Sequence, residues 1–269
     1  MKTATSHQPL LTGRSAFTII ELTVVLAVIA ALMGGMIALA TVSLEERSYK
    51  ATVAKLEVLQ QALVDYRIAY NTLPCPSNST AAVSDASFGI AITTTNCTGG
   101  TPAADIADAT AAVGMVPVRT LGLPDEMAVD GWGRRIRYAV SSPFVVSDSF
   151  DATAPTSATA RITVTNNESG STLTDTAVFA LISYGKNGHG ARPGAIYGTA
   201  TLSTPISGGI TNTNELLNCK CNSDGSSNGS ADLDAFVQGD PKPNSSNPLD
   251  NFDDIVLFST RADLRDATE

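Results

Sequence analysis

Basic residues, aromatics and histidine are all scarce in this chain. Seventeen Lys and Arg stand against 26 Asp and Glu, for a formal net charge of −9. Nucleic-acid binding wants a basic stripe, so this balance argues against it. Aromatics supply 6% of the residues, and there is one tryptophan. Of the two histidines, His7 lies near the N-terminus and His189 in a glycine-rich turn. His189 reads as a solvated turn residue, and no sequence neighbour makes a nucleophile pair with it. There is no P-loop and no Gly-x-Gly-x-x-Gly placed after a strand in a βαβ unit. The stretch 222–232 carries oxygen ligands but misses the EF-hand spacing. No catalytic set assembles, so the chain is not expected to be an enzyme.

Cysteine is limited to Cys75, Cys97, Cys219 and Cys221. Each lies in a polar, turn-rich stretch. Cys-Lys-Cys with two distant cysteines lacks the Cys-x2-Cys knuckles of zinc sites. Outside the cytoplasm, disulfides are the default. Four cysteines allow three pairings. Cys75 with Cys97 closes a loop of modest length and is preferred. That leaves Cys219 with Cys221, and a crossed pairing between the two regions stays open.

What the chain does have is one long apolar run. From Leu22 to Val42 there is no charge, and Glu21 stands just before it. At about 1.5 Å per residue, a helix over that run covers roughly 30 Å, the thickness of a bilayer core. A carboxylate driven to mid-membrane costs about 2.5–3.5 kcal/mol, so Glu21 implies a specific partner for its charge. The preceding residues 1–16 contain Lys2, His7 and Arg14 and no acid. An ordinary secretory signal would be cut after the apolar core, and Ala38-Leu39-Ala40 offers such a site. The alternative is a cut between Ala16 and Phe17. Loss of residues 1–16 would leave 15 basic residues against 26 acidic ones, a net charge of −11.

Beyond the run, Glu45, Glu46, Arg47 and Lys50 mark an exit into water, with Glu46 and Lys50 at i,i+4 spacing. Val53, Leu56, Leu59, Leu63, Tyr66 and Tyr70 then recur every three or four residues, which predicts an amphipathic helix. Pro74 and Pro76 are expected to end it. One helix from Phe17 to about Tyr70 would be roughly 80 Å long. The stretch 77–112 reads as irregular, with a short helix near 103–112. Alternation predicts strands over Arg135–Val140, Ala160–Thr165, Ala177–Tyr184 and Asp254–Ser259. The stretch 203–251 reads as a long surface excursion with a short helix around 231–237. The expected class is α+β: a long N-terminal helix, half membrane segment and half amphipathic, packed on a three- to four-stranded antiparallel sheet with long loops. The expected division is a leader at 1–16, a membrane or filament-core helix at 17–44 and an extracytoplasmic globular domain at 45–269.

Phe17-Thr18-Ile19-Ile20-Glu21-Leu22 after a basic leader, followed by an unbroken apolar helix, resembles the N-terminus of type IV pilins and pseudopilins. Further along, Asp130-Gly131-Trp132-Gly133 before a strand looks like the Trp-Gly turn of major pseudopilins of type II secretion. Ser183 to Gly190 resembles their strand-to-glycine-loop passage, and Phe252 to Val256 their late acidic strand entry. Two features depart from the family pattern. Ala16 stands where the family has Gly, and the proline found in many of its membrane helices is absent near Ala38. Gly34-Gly35 could loosen the helix there instead.

The resemblance implies a type IV pilin-like fold and a structural role as a filament subunit, first of all a pseudopilin of type II secretion. A type IV pilin, major or minor, used for adhesion or DNA uptake is the alternative. A membrane-anchored extracytoplasmic enzyme is the competing class. It also implies processing at Ala16–Phe17 by prepilin peptidase, N-methylation of Phe17, and an inner-membrane location before assembly. The implied partners are other copies or related filament subunits. Glu21 would pair with the N-terminal amine of Phe17 on a neighbouring subunit. Major pseudopilins bind Ca²⁺ near their C-terminal strands, so Asp250, Asp253 and Asp254 become candidate ligands, with carbonyls of the loop 185–190 completing the shell.

Overall fold

The computed structural model describes residues 18–93, 97, 106–107, 110–146, 150, 162–194, 209–224, 232–242 and 246–266, with backbone alone for 32–43, 106–107 and 265–266. Ala16 and Phe17 lie outside the described residues. The chain divides into two units, 1–45 and 46–269. Helical backbone (α1) covers Ile19–Tyr70.

In the first unit, the Thr18 hydroxyl accepts the Glu21 amide at 3.3 Å, a local N-cap. Glu21 is exposed. So are Ile19, Ile20, Leu22, Val24, Val25, Leu26, Val28 and Ile29. Gly34 and Gly35 have helical backbone. Among the described residues no helix is long and apolar enough to cross a membrane. The span expected from the sequence includes 32–43, whose side chains lie outside that description.

In the second unit, α1 is amphipathic. Leu56, Leu59, Leu63 and Val64 are buried with Tyr138, Val140, Val178, Phe179 and Leu181 of the sheet. Tyr70 is exposed, so the apolar stripe closes one turn earlier than the spacing predicts. Asn71, at φ 53°, ends the helix ahead of Pro74. The left-handed turn there returns the Asn71 amide to the Arg67 carbonyl at 2.8 Å. Lys55 Nζ donates to the carbonyls of Glu126 (2.8 Å) and Val129 (2.6 Å). Gln60 Nε2 donates to Ser259 Oγ at 2.8 Å, across 199 residues of sequence.

The strands are β1 (Ile106–Ala107), β2 (Ala111–Met115), β3 (Arg137–Ser141), β4 (Ile162–Asn166), β5 (Thr172–Ser183), β6 (Ala235–Gln238) and β7 (Ile255–Thr260). They form one sheet in the order β1-β2-β3-β5-β4-β6, with β7 also paired to β5. The fold is α+β, but the sheet is larger than expected and mixed: β4 and β6 run parallel. Two expected helices contain strand and no helix among their described residues. The region of 103–112 contributes β1 and the start of β2, and 231–237 contributes most of β6. Alanine favours helix in isolation, but Ala111 and Ala112 pair with Ser141 and Val140 of β3 and are fully buried. Tertiary pairing overrides local preference there. The central strand β5 is buried on both faces: Val178, Phe179 and Leu181 join the core under α1, and Ala177, Ala180 and Ile182 join a second core on the other side. That is why its sequence is a continuous apolar run. Two short helices complete the unit, α2 (Thr213–Cys219) and α3 (Arg261–Asp266).

The turn before β3 is held by Asp130. Its Oδ1 accepts the Trp132 and Arg134 amides, both at 2.9 Å, and its Oδ2 accepts Ser183 Oγ at 2.6 Å. Gly133 has φ 81°, as the turn requires. Gly131 is glycine for a different reason. A Cβ there would lie 2.1 Å from the Ser48 carbonyl oxygen, so only glycine lets the turn touch the helix backbone.

Candidate metal centre

Three carboxylates from two distant stretches converge beside the start of β7. Asp253 and Asp254 immediately precede that strand, and Glu215 comes from the first turn of α2. The helix begins there because Asn212 caps it, accepting the amides of Asn214 (3.0 Å) and Glu215 (3.1 Å). Ligand oxygens of Glu215, Asp253 and Asp254 all lie within 4.8 Å of one another. Glu215 is fully buried and Asp254 is 1% exposed.

The glycine loop 185–190 closes the centre. Gly185 lies against Asp253: a Cβ there would meet the Asp253 carbonyl oxygen at 2.1 Å and Oδ1 at 2.4 Å. From the same loop, Asn187 Nδ2 donates to Glu215 Oε1 at 2.6 Å, and the Asn187 amide donates to Asp253 Oδ2 at 2.9 Å. His189 Nδ1 lies 2.6 Å from Glu215 Oε2. The Asp253 amide also reaches Glu215 Oε1, at 3.2 Å. Asn218 Nδ2 donates to Asp254 Oδ2 at 2.9 Å. The remaining oxygens, Oδ1 of Asp253 and Oδ1 of Asp254, are buried and accept no hydrogen bond.

Burial raises the Asp253 carboxyl from an ordinary 3.8 to about 6, with Glu215 adding to the rise and the Asn187 amide opposing it. Burial likewise lifts Asp254 well above the usual carboxylate range, with Glu215 next in effect. Burial of Asp253 and Asp254 beside other acids disfavours their ionised forms, and either a proton or a cation relieves that cost. The donor set is hard oxygen, and oxygens within 4.8 Å of one another can surround an ion with bonds of about 2.3–2.6 Å, the range of Ca²⁺. Oδ1 of Asp253 and Oδ1 of Asp254 accept no hydrogen bond and so retain lone pairs for a ligand.

The centre differs from the sequence expectation in three residues. Asp250 is not part of it: it ends a 3-10 turn, Pro248–Asp250, and its carbonyl accepts Asn212 Nδ2 at 3.2 Å. Glu215 takes its place, from a stretch that reads as surface loop. The only local signal was Asn212 three residues before a glutamate, the spacing of a helix start. His189 is 8% exposed and packed onto Glu215 rather than solvated. The loop carbonyls of Gly185 and Lys186 accept the Arg134 guanidinium, the latter at 2.8 Å. The loop's contribution is therefore the side chains of Asn187 and His189 and the backbone amide of Asn187.

The cysteines pair as Cys75–Cys97, with Cα atoms 5.5 Å apart, and Cys219–Cys221, with Cα atoms 5.2 Å apart. The second pair closes the C-terminus of α2, four residues from Glu215. No family profile, curated protein or solved structure matches this chain.

Proposed function

We propose that the chain is the precursor of a type IV filament subunit of the pseudopilin kind, serving type II secretion. The observation that carries the reading is the N-terminal sequence: a basic leader, Ala16, Phe17-Thr-Ile-Ile-Glu21 and an uncharged run to Val42. The amphipathic second half of α1, with Leu56, Leu59 and Leu63 buried on a sheet, supports it. In this reading residues 1–16 are removed, Phe17 becomes the N-terminus, and the apolar helix lies first in the inner membrane and then in a bundle of subunits. Glu21 neutralises the Phe17 amine of a neighbour, an attraction that strengthens in a low-dielectric bundle. The exposed apolar residues from Ile19 to Ile29 are the surface that such a bundle would cover.

Within this function the acidic centre has a supporting part. Glu215, Asp253 and Asp254 would hold a Ca²⁺ ion, which neutralises the buried carboxylates and ties α2 to the start of β7. The chain needs no catalytic group for such work. Intact-mass measurement of the membrane-extracted protein tests the reading. The expected mass lacks residues 1–16 and carries one added methyl. A mature N-terminus at Thr41 would identify a secretory signal and overturn it.

A further inference from the structure

The turn Cys219-Lys220-Cys221 is built in a way that a simple crosslink does not explain. A disulfide with one residue between its cysteines removes little loop entropy from the unfolded chain, so its effect must lie in local geometry. Its first cysteine is the last residue of α2, a helix of seven residues. A helix that short has little stability of its own. Lys220 follows in the left-handed conformation, at φ 54°. Its side chain is fully buried, with Nζ 3.9 Å from the Phe236 ring centroid and donating to the carbonyls of Asp232 and Ala235. The C-terminus of α2 is thereby fastened to β6.

The sulfur atoms also meet the glycine loop. A Cβ on Gly190 would lie 2.8 Å from Cys219 Sγ and 2.9 Å from Cys221 Sγ. One residue earlier, His189 touches Glu215. A closed circuit results: Glu215, along α2 to the disulfide, across to Gly190, and back through His189 to Glu215. Asn218, on the same helical turn as Cys219, holds Asp254 Oδ2 and is bound to both polar backbone atoms of Val237 in β6. Both the position of Glu215 and the orientation of Asp254 therefore depend on where the end of α2 is fixed.

We infer that the Cys219–Cys221 disulfide is the positioning element of the acidic centre and sets its affinity for a divalent cation. The inference rests on the metal-binding reading above. Opening the disulfide loosens the turn at Lys220 and the packing of both sulfurs on Gly190, and the carboxylates lose their shared geometry while the sheet and the Cys75–Cys97 loop stay in place.

Calorimetric titration of the full chain in detergent with Ca²⁺ tests this, at a temperature below the metal-free unfolding of every variant used. Supporting contacts around metal ligands are worth roughly 10–100-fold in affinity, so Cys219→Ser with Cys221→Ser should weaken Kd by about that factor. Cys75→Ser with Cys97→Ser should lower the unfolding midpoint but leave Kd within about threefold, because that crosslink touches no ligand. Wild-type chain reduced under native conditions, with alkylation reporting which pair opened, gives the same comparison if the serine variant does not fold. Wild-type binding with an unchanged Kd once Cys219 and Cys221 are open overturns the positioning role alone. Absence of binding by the oxidised wild type at millimolar Ca²⁺ overturns the metal centre and this inference with it.

Discussion

Two stretches of α1 carry similar side chains and meet opposite surroundings. Between Ile19 and Ile29 the leucines, valines and isoleucines are exposed; between Leu56 and Val64 the leucines at 56, 59 and 63 are 1% exposed or less. The difference is patterning. The later stretch alternates apolar residues with Lys55, Glu57, Gln60 and Asp65, so one face suits a sheet and the other suits water. The earlier stretch, beyond Glu21 and Thr23, is apolar all round and leaves no face for water. Such a surface calls for cover on every side, which is why a lipid or a bundle of like helices is proposed for it.

The comparison breaks first at Leu59. Leu59→Ala should destabilise the globular unit by about 2–5 kcal/mol in denaturant unfolding, through lost burial and the cavity left behind. Leu26→Ala should change the same measurement by less than about 0.5 kcal/mol, since the site is exposed in the single chain. Equal losses at the two positions would erase the distinction. Glu21→Ala sharpens it: processing and folding should be unchanged while filament assembly is lost, scored by shearing and by electron microscopy. Wild-type filament yield would remove Glu21 from the assembly role.

A smaller effect separates the acidic centre from ordinary surface acids. Asp253 titrates near 6 when folded, against 3.8 for a free side chain, so the folded chain binds more protons in that window. Stability of the metal-free protein should therefore fall as pH rises from about 4 to 6, and Asp254 extends the fall upward. Saturating Ca²⁺ should flatten that slope and raise the midpoint at pH 7. A metal-free midpoint that rises across the same window would contradict the burial of these carboxyls. Smallest of all, Gly34→Ala with Gly35→Ala should favour helix by roughly 1 kcal/mol per site and stiffen the filament under stretching. Unchanged elasticity would deny the two glycines a hinge role.

Periodicity made the second half of α1 readable, because Leu56, Leu59 and Leu63 repeat at helical spacing and do bury one face. Alternation and apolar runs likewise located β3, β4 and β7 to within two residues and the apolar second half of β5, whose polar start from Thr172 they missed. The weak strands escaped. β2 is Ala-Ala-Val-Gly-Met and β6 is Ala-Phe-Val-Gln, and neither states its preference without the neighbours that pair with it. The acidic centre was half legible. Asp253 and Asp254 stand together before a strand, but Glu215 is 38 residues from Asp253 and meets it only through the fold. No local pattern distinguishes a glutamate that caps its own helix from one turned inward to Asn187 and His189.

The hydrogen bond from Gln60 to Ser259 has a consequence in time. These residues are 199 apart. At synthesis rates of about 5–20 residues per second, roughly 10–40 s separate their emergence from the ribosome. Throughout that interval the apolar face of the helix around Leu59 lacks β7, whose Leu257 and Ile255 pack against its core. Pairings this remote also close slowly once both partners exist. The face around Leu59 can meet Tyr138 and Val140 of β3 and Val178, Phe179 and Leu181 of β5 well before that, so the last strand completes this core rather than founding it.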